Sequence, residues 1–306
     1  MTATLYSKEV KIMKLTISDG FIKVFSHVFI GLFALFCLYP LLLTLGVSFS
    51  SENLVQIHGY KLIPEKVSLD AYTYLLVSNG DRILKSYMVT VFVTVAGTLL
   101  SLFITSMMAF AMASRDMKYR NAIAMFSYFT VIFSAGIIPW YIVCVNYYKL
   151  TDNLLGLILP YSVNVWFLFL MRNYYQSIPD AILESAKMDG ANHFYTYLRI
   201  ASPLSKTALL TVGLLYSLQF WNDWWLAIMF INKQDLFPLQ YYLYTIISNA
   251  QALASGNVSS LSGKISLPTE TIKMAATVIA TGPIVFLYPF VQKYFVQGIM
   301  VGGVKG

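Results

Sequence analysis

Two groups of residues carry the chemistry open to this chain. The first lies between residues 172 and 206: Glu184-Ser185-Ala186, three residues, Gly190, nine residues, Ile200, then Pro203 after a gap. The second is Tyr216, Gln219 and Asp223, whose spacing on a continuous helix puts a phenol, an amide and a carboxylate on one face. Such a stripe suits hydrogen bonding to a hydroxyl-rich solute, with Trp221, Trp224 or Trp225 offering flat apolar faces for sugar rings. Asn222 adjoins the stripe, and Trp140 and Asn164 are further candidates, but five consecutive residues point in every direction, so 221–225 cannot all share one face. A structural role for Asn222 and Asp223, bonding to neighbouring helices, stands beside the solute-lining one. Covalent catalysis finds no comparable set. His27, His58 and His193 lack metal-ligand spacing, Cys37 and Cys144 sit in apolar runs as packing residues, and no G-x-x-x-x-G-K-[ST] phosphate loop occurs. No metal or cofactor is expected on this chain.

The surroundings these residues need are set by composition. Of 306 residues 58% are apolar and 11% charged, against about 25% charged in soluble domains. Six stretches are long enough to cross a hydrocarbon core of about 30 Å at about 1.5 Å per helical residue. They are Val28–Val47, Tyr87–Ala113, Ala122–Tyr148, Leu154–Met171, Thr207–Asn232 and Met274–Gln292, and Asp223 is their one charge. Continuous apolar runs predict helices rather than the alternating strands of a barrel. Residues 1–27 then form an N-terminal segment and 28–306 one membrane domain, with longer connections at 48–86, 172–206 and 233–273. An N-terminus in the cytoplasm puts 13 of the 21 Lys and Arg residues on that side, which favours both termini inside, although Arg82 and Lys85 flank the second run on the other side. The net charge of +7 thus reads as membrane-face bias, not affinity for nucleic acid. Pro40, Pro139, Pro160, Pro283 and Pro289 lie inside the runs, where kinks are expected. Ser68 to Tyr72 reads as a short capped surface helix, residues 238–247 as helix-compatible and 248–263 as a mobile loop.

The 172–206 connection is not a slack tether. Ser177-Ile178-Pro179-Asp180 reads as a helix start, with a capping hydroxyl, a first-turn proline and an acid at the positive end of the dipole. The helix should run through Met188 and stop at Gly190, a residue free to adopt a left-handed conformation. A second short helix is expected from about His193 to Ile200, with Ser202-Pro203 opening the fifth crossing. A bent, capped elbow can pass force to a soluble partner where a flexible loop would dissipate it.

The spacing of Glu184, Ala186, Gly190, Ile200 and Pro203 resembles the E-A-A-x3-G-x9-I-x-L-P signature of bacterial ABC importer permeases, with Ser185 for an alanine and Ser202 for the leucine. Residues 133–139 (FSAGIIP), Arg172-Asn173-Tyr174, Trp221-Asn222-Asp223-Trp224 and the tail from Tyr288 to Gly306 are similar to segments of sugar-type, maltose-permease-like permeases of the LplC/YtcP-like subgroup. That resemblance covers nearly the whole chain. It implies an all-α integral membrane protein of six transmembrane helices with the type I ABC importer permease (MetI-like) fold, in a bacterial plasma membrane. It further implies that Glu184, Ser185, Ala186, Asp189 and Gly190 couple to an ATPase subunit through helices seated in its cleft. The expected partners are a second, homologous permease, two ATPase subunits holding ATP and Mg, an extracellular solute-binding lipoprotein, an oligosaccharide substrate and the lipid bilayer. Import of a peptide, amino acid or lipid-like solute stays open on residue chemistry alone. An ion-coupled secondary transporter would need intramembrane ionisable residues and often repeated halves, against one acid and no repeat here.

Overall fold

In lipid every backbone N–H and C=O must be paired within the protein, which leaves helices as the economical crossing element. The computed structural model describes residues 17–254 and 269–285 and is helical at each expected crossing. The first span, Ile17–Ser48, and the second, Gly80–Ala113, are single rods. Three of the other crossings are interrupted. The third runs Arg120–Ile132, turns through 115° and continues as Ile137–Tyr147, with Gly136 at φ +86° in the turn. In the fourth, Leu155–Tyr161 bends by 53° into Val165–Gln176. The fifth stops at Trp221 and resumes as Trp225–Phe230, and helix 269–285 forms the sixth.

These breaks go beyond the proline kinks expected in 122–148 and 154–171 and correct the expectation of one helix over 207–232, and their cause is local. A helix that stops inside the membrane leaves N–H groups without partners unless a side chain accepts them. Asn164 Oδ1 takes the N–H of Trp166 at 2.9 Å, Asp223 Oδ2 takes that of Leu226 at 3.3 Å, and Ser134 Oγ takes that of Gly136 at 3.3 Å. Pro139 and Pro160 sit beside the breaks in the third and fourth spans, whereas Pro40 lies inside a helix that continues past it.

The core lies between spans two, four and five, where Met112, Leu168, Met171, Val212, Tyr216 and Leu226 are fully buried. Gly97 lets spans two and five close up, because a Cβ there would stand 2.8 Å from the ring of Phe220. The first span is different: no residue of its most apolar stretch is buried.

At one end of the bundle sit the 114–119 connection and the 177–205 elbow. Connections at the opposite end are tied by carboxylates. Glu52 accepts the N–H groups of Glu270 and Thr271 at 3.0 and 2.8 Å, and Asp152 Oδ1 accepts those of Asn232 and Lys233 at 2.7 and 2.9 Å. The short helix Asp70–Thr73 forms where expected, but its N-cap position is Leu69 and no side chain caps it; Ser68 Oγ accepts the N–H of Asp70 at 3.1 Å in the turn before it. Helix Leu239–Ala254 extends the expected helical run, so residues 248–254 are helix rather than loop, while 255–263, the tail motif at 288–306 and Pro289 lie outside the described residues.

Candidate functional site: a coupling elbow and a cluster at the helix breaks

The elbow begins with helix Asp180–Met188, and its chemistry at both ends is specific. Ser177 is not its cap; the hydroxyl donates to Tyr174 O at 2.7 Å and closes the preceding helix instead, leaving Pro179 at the N-cap position. At the other end the helix closes with a double bond pattern: Gly190 N–H reaches Lys187 O at 2.9 Å and Ala191 N–H reaches Ala186 O at 3.0 Å. This is a Schellman closure, and it requires the left-handed φ of +79° that Gly190 adopts. Asn192 Oδ1 then caps the second arm, accepting from Tyr195 N–H at 2.8 Å. That arm runs His193–Leu204, past the expected end at Ile200, through a wide π-turn over Tyr197–Ala201, and meets Lys206–Trp221 at 86°. Ser202-Pro203 therefore lies within the arm, and the fifth span opens at Lys206.

Glu184, Ser185, Asp189 and Gly190 are exposed on the elbow, while Ala186 is buried beneath it. A hollow lined by Ala186, Asp189, Gly190, Asn192, Tyr195 and Arg199 opens beside the bend. On the bundle side the elbow is latched to the 114–119 connection by crossed ion pairs, Arg115 with Asp180 at 2.7 Å and Lys187 with Asp116. The Lys187 ammonium holds the Asp116 carboxyl below its ordinary range. Sequence spacing gave no sign of this latch, because its halves lie about seventy residues apart.

The second candidate group does not assemble as expected. Because the helix stops at Trp221, Asp223 no longer continues the face of Tyr216 and Gln219; its carboxylate accepts the N–H of Leu226 in the first turn of the next helix at 3.3 Å and the hydroxyl of Tyr161 at 3.1 Å. Tyr216 is fully buried, its hydroxyl shared with Thr105 Oγ1 at 2.7 Å and accepting from Asn164 N–H at 2.9 Å, so it has no surface for a solute. Trp221 is buried too and donates to Ala280 O at 3.2 Å. Trp140, half-buried, packs its ring 5.6 Å from that of Trp225. Gln219 and Asp223 are half-buried, Asn222 is exposed and donates to Leu218 O at 2.8 Å, and exposed Trp224 stacks on Tyr244 at 5.3 Å. Among the described residues no group of three or more His, Cys, Asp or Glu side chains is placed to hold a metal.

Residues 123–301, which hold the elbow and the interrupted crossings, match the family of the binding-protein-dependent transport system inner membrane component. The chain belongs to that family. Relatives agree over nearly the full length. A polygalacturonan/rhamnogalacturonan transport system permease protein of Bacillus subtilis is 38% identical, over 91% of this chain and 96% of its own. An arabinooligosaccharides transport system permease protein of the same organism is 30% identical over 90% and 91%. The crystal structure of a bacterial ABC transporter involved in the import of the acidic polysaccharide alginate contains a chain that superposes with a TM-score of 0.77 at 31% identity, covering 92% of this chain and 98% of that one. As an inner membrane component of this family, the protein is a transport permease with the all-helical MetI-like fold, not an enzyme, and works with a further permease, ATPase subunits and a binding protein.

Proposed function

We propose that this permease serves an importer of oligosaccharides, paired with a homologous but non-identical permease above two ATPase subunits that bind ATP and Mg. The solute class is supported by the relatives, whose names specify polygalacturonan or rhamnogalacturonan, arabino-oligosaccharides and alginate. The elbow end faces the cytoplasm of a bacterial cell, with both termini on that side, as the Lys and Arg bias favours. An extracellular solute-binding lipoprotein docks at the opposite end.

The observation that carries the coupling role is the elbow's geometry: an exposed acid at Glu184 and a glycine bend at Gly190, held rigid by caps and latched to the bundle. Glu184, Ser185, Asp189 and Gly190 form the face that enters the ATPase cleft, with Ala186 packed beneath it. Closure of the ATPase dimer on ATP draws the two permeases' elbows together and turns the bundle from inward-open to outward-open, and hydrolysis resets it. The solute's path runs by the break in the fifth span, where Gln219, Asn222, Asp223 and Trp224 keep accessible surface.

The test is reconstitution with the co-purifying partners, reading ATPase stimulation over a panel of neutral and uronic-acid oligosaccharides loaded on the binding protein. Glu184→Ala and Gly190→Val are expected to abolish stimulation while the spans stay inserted. A β-branched residue at φ +79° is strained by about 1–2 kcal/mol, enough to redirect the bend. Full stimulation retained in both variants overturns the coupling role, and stimulation by no oligosaccharide overturns the solute class.

A further inference from the structure

Thr105 and Ser106 are consecutive residues of the second span, and both are buried. Neighbours on a helix diverge by about 100°, so two hydroxyls in sequence reach two different partners at one level. Ser106 Oγ accepts from Tyr197 OH at 3.0 Å and shares a hydrogen with Tyr175 OH at 2.6 Å. Thr105 Oγ1 shares one with Tyr216 OH at 2.7 Å, and Tyr216 accepts the N–H of Asn164 at 2.9 Å. These partners come from the elbow's second arm, the near half of the fourth span, the fifth span and the break in the fourth. Three residues before Asn164, Tyr161 donates to Asp223 at the break in the fifth span.

Packing alone does not demand this arrangement. On the same helix the buried hydroxyl oxygens of Thr94, Thr98 and Ser101 have no hydrogen-bond partner among the described residues, so satisfied hydroxyls are not automatic along this span. Bonded hydroxyls occur at two levels of this span, at Thr90, which donates to Ser86 O and accepts from Leu239 N–H, and at Thr105–Ser106, where the elbow joins. The ring of Phe110 packs on both Tyr175 and Tyr197, at 5.5 and 5.6 Å, and fixes the two phenols side by side. Tyr197 begins the π-turn, a wide turn of the kind found at functional positions, a short way before the 86° bend into the fifth span.

We propose that Thr105 and Ser106 are positioning residues for transport: together they carry the elbow's displacement into the two helix breaks, where Asn164 and Asp223 reset the far halves of the fourth and fifth spans. This rests on the elbow being the coupling element. A hydroxyl donates once and accepts twice, so Ser106 can hold Tyr175 while releasing or recapturing Tyr197, giving two discrete arrangements rather than a continuum.

The experiment uses the complete importer, with its partner permease, ATPase subunits and binding protein, in proteoliposomes. Spin labels are placed in two pairs, at 195 and 128 to follow the elbow and at 222 and 128 to follow the break, all at exposed positions. Distances are read without nucleotide and after trapping with ATP, Mg and vanadate. In the otherwise native protein both pairs shift. In Tyr197→Phe and Ser106→Ala the elbow pair is expected to shift as before, while the fraction of molecules shifted at the break falls about fivefold, the scale of one lost hydrogen bond. The double variant should be no worse than the poorer single, because both remove the same link. Native shifts at the break in both variants overturn the proposal, as do additive losses, loss of the elbow shift itself, or a fall in assembled complex that accounts for the signal. Gly190→Val separates the two ideas: an unaltered elbow shift there overturns the coupling role of the elbow, whereas a lost one with native behaviour at Ser106→Ala overturns only the relay.

Discussion

Two helices of this chain share a composition and behave in opposite ways. The first span has a mean hydropathy of 2.4 over its most apolar stretch and none of that stretch is buried, whereas the second, at 2.1, sits at the centre of the core. Hydropathy decides that both enter lipid, where apolar surface gains nothing further by meeting apolar surface, so packing must be driven by shape and polar contacts. The second span buries Ser86, Thr90, Gly97, Ser101, Thr105, Ser106 and Ala109, small residues that let backbones approach and hydroxyls that bind across helices. The first presents Phe25, Phe29, Phe33 and Phe36 outward, three of them in a stacked ladder with centroids 6.3 and 6.5 Å apart. Between these two spans, the one that packs carries small and hydroxyl residues beside Ile83, Val93 and Met112 on its buried face, and the more apolar one stays outside.

The contrast fixes where substitutions hurt. Leu168→Ala, at a fully buried core position, should lower the stability of the detergent-purified chain by about 2–5 kcal/mol in thermal unfolding, because the surrounding helices cannot collapse into the void. Phe29→Ala removes a larger side chain from an exposed site and should stay within about 0.5 kcal/mol. Equal losses would mean that the first span is packed within its own chain after all. A finer probe makes one substitution at two places. Gly97→Ala drives a methyl to within 2.8 Å of the buried Phe220 ring and should cost about 1–3 kcal/mol. At Gly31, where a Cβ meets nothing within 4 Å, the same change should be neutral or stabilising by up to about 1 kcal/mol through helix propensity. The same sign at both sites would remove size as the organising variable.

How far the sequence foretells this depends on which interaction sets each feature. Crossings one and two are visible because charge brackets them, and the bend at Gly190 is visible because only glycine sits easily at φ +79°. The breaks in spans three to five are hidden from a hydropathy reading, which sums apolar residues and is blind to backbone direction. A signal was nevertheless there. Ser134, Asn164 and Asp223 are residues of the cap-forming types inside apolar runs, and Asp223 continues the Tyr216–Gln219 stripe only on a helix that runs past Trp221. The Thr105–Ser106 contacts and the Arg115–Asp116 latch could not be read locally, since each joins residues tens of positions apart.

The smallest effect concerns the latch, which ties the elbow to the packed block and has no counterpart on the first span. Its charges are largely solvated, so removing one pair should shift the elbow's rigidity rather than the fold. Asp116 sets the pH response. Its carboxyl is lowered first by the hydrogen bond from Lys187 and further by the Lys187 and His193 charges, so the folded state holds its proton less tightly than the unfolded chain. The contribution is therefore fully present above the ordinary carboxylate value of 3.8 and is lost as pH falls through the lower folded value. Spin labels at 119 and 185 should give one narrow distance from pH 7 to pH 5 and a broadened one only as pH falls well below 3.8, with Lys187→Gln broadened throughout. Broadening between pH 7 and pH 5 would overturn the assignment to Asp116, and a narrow distance in Lys187→Gln would show that the caps of the elbow alone keep it rigid.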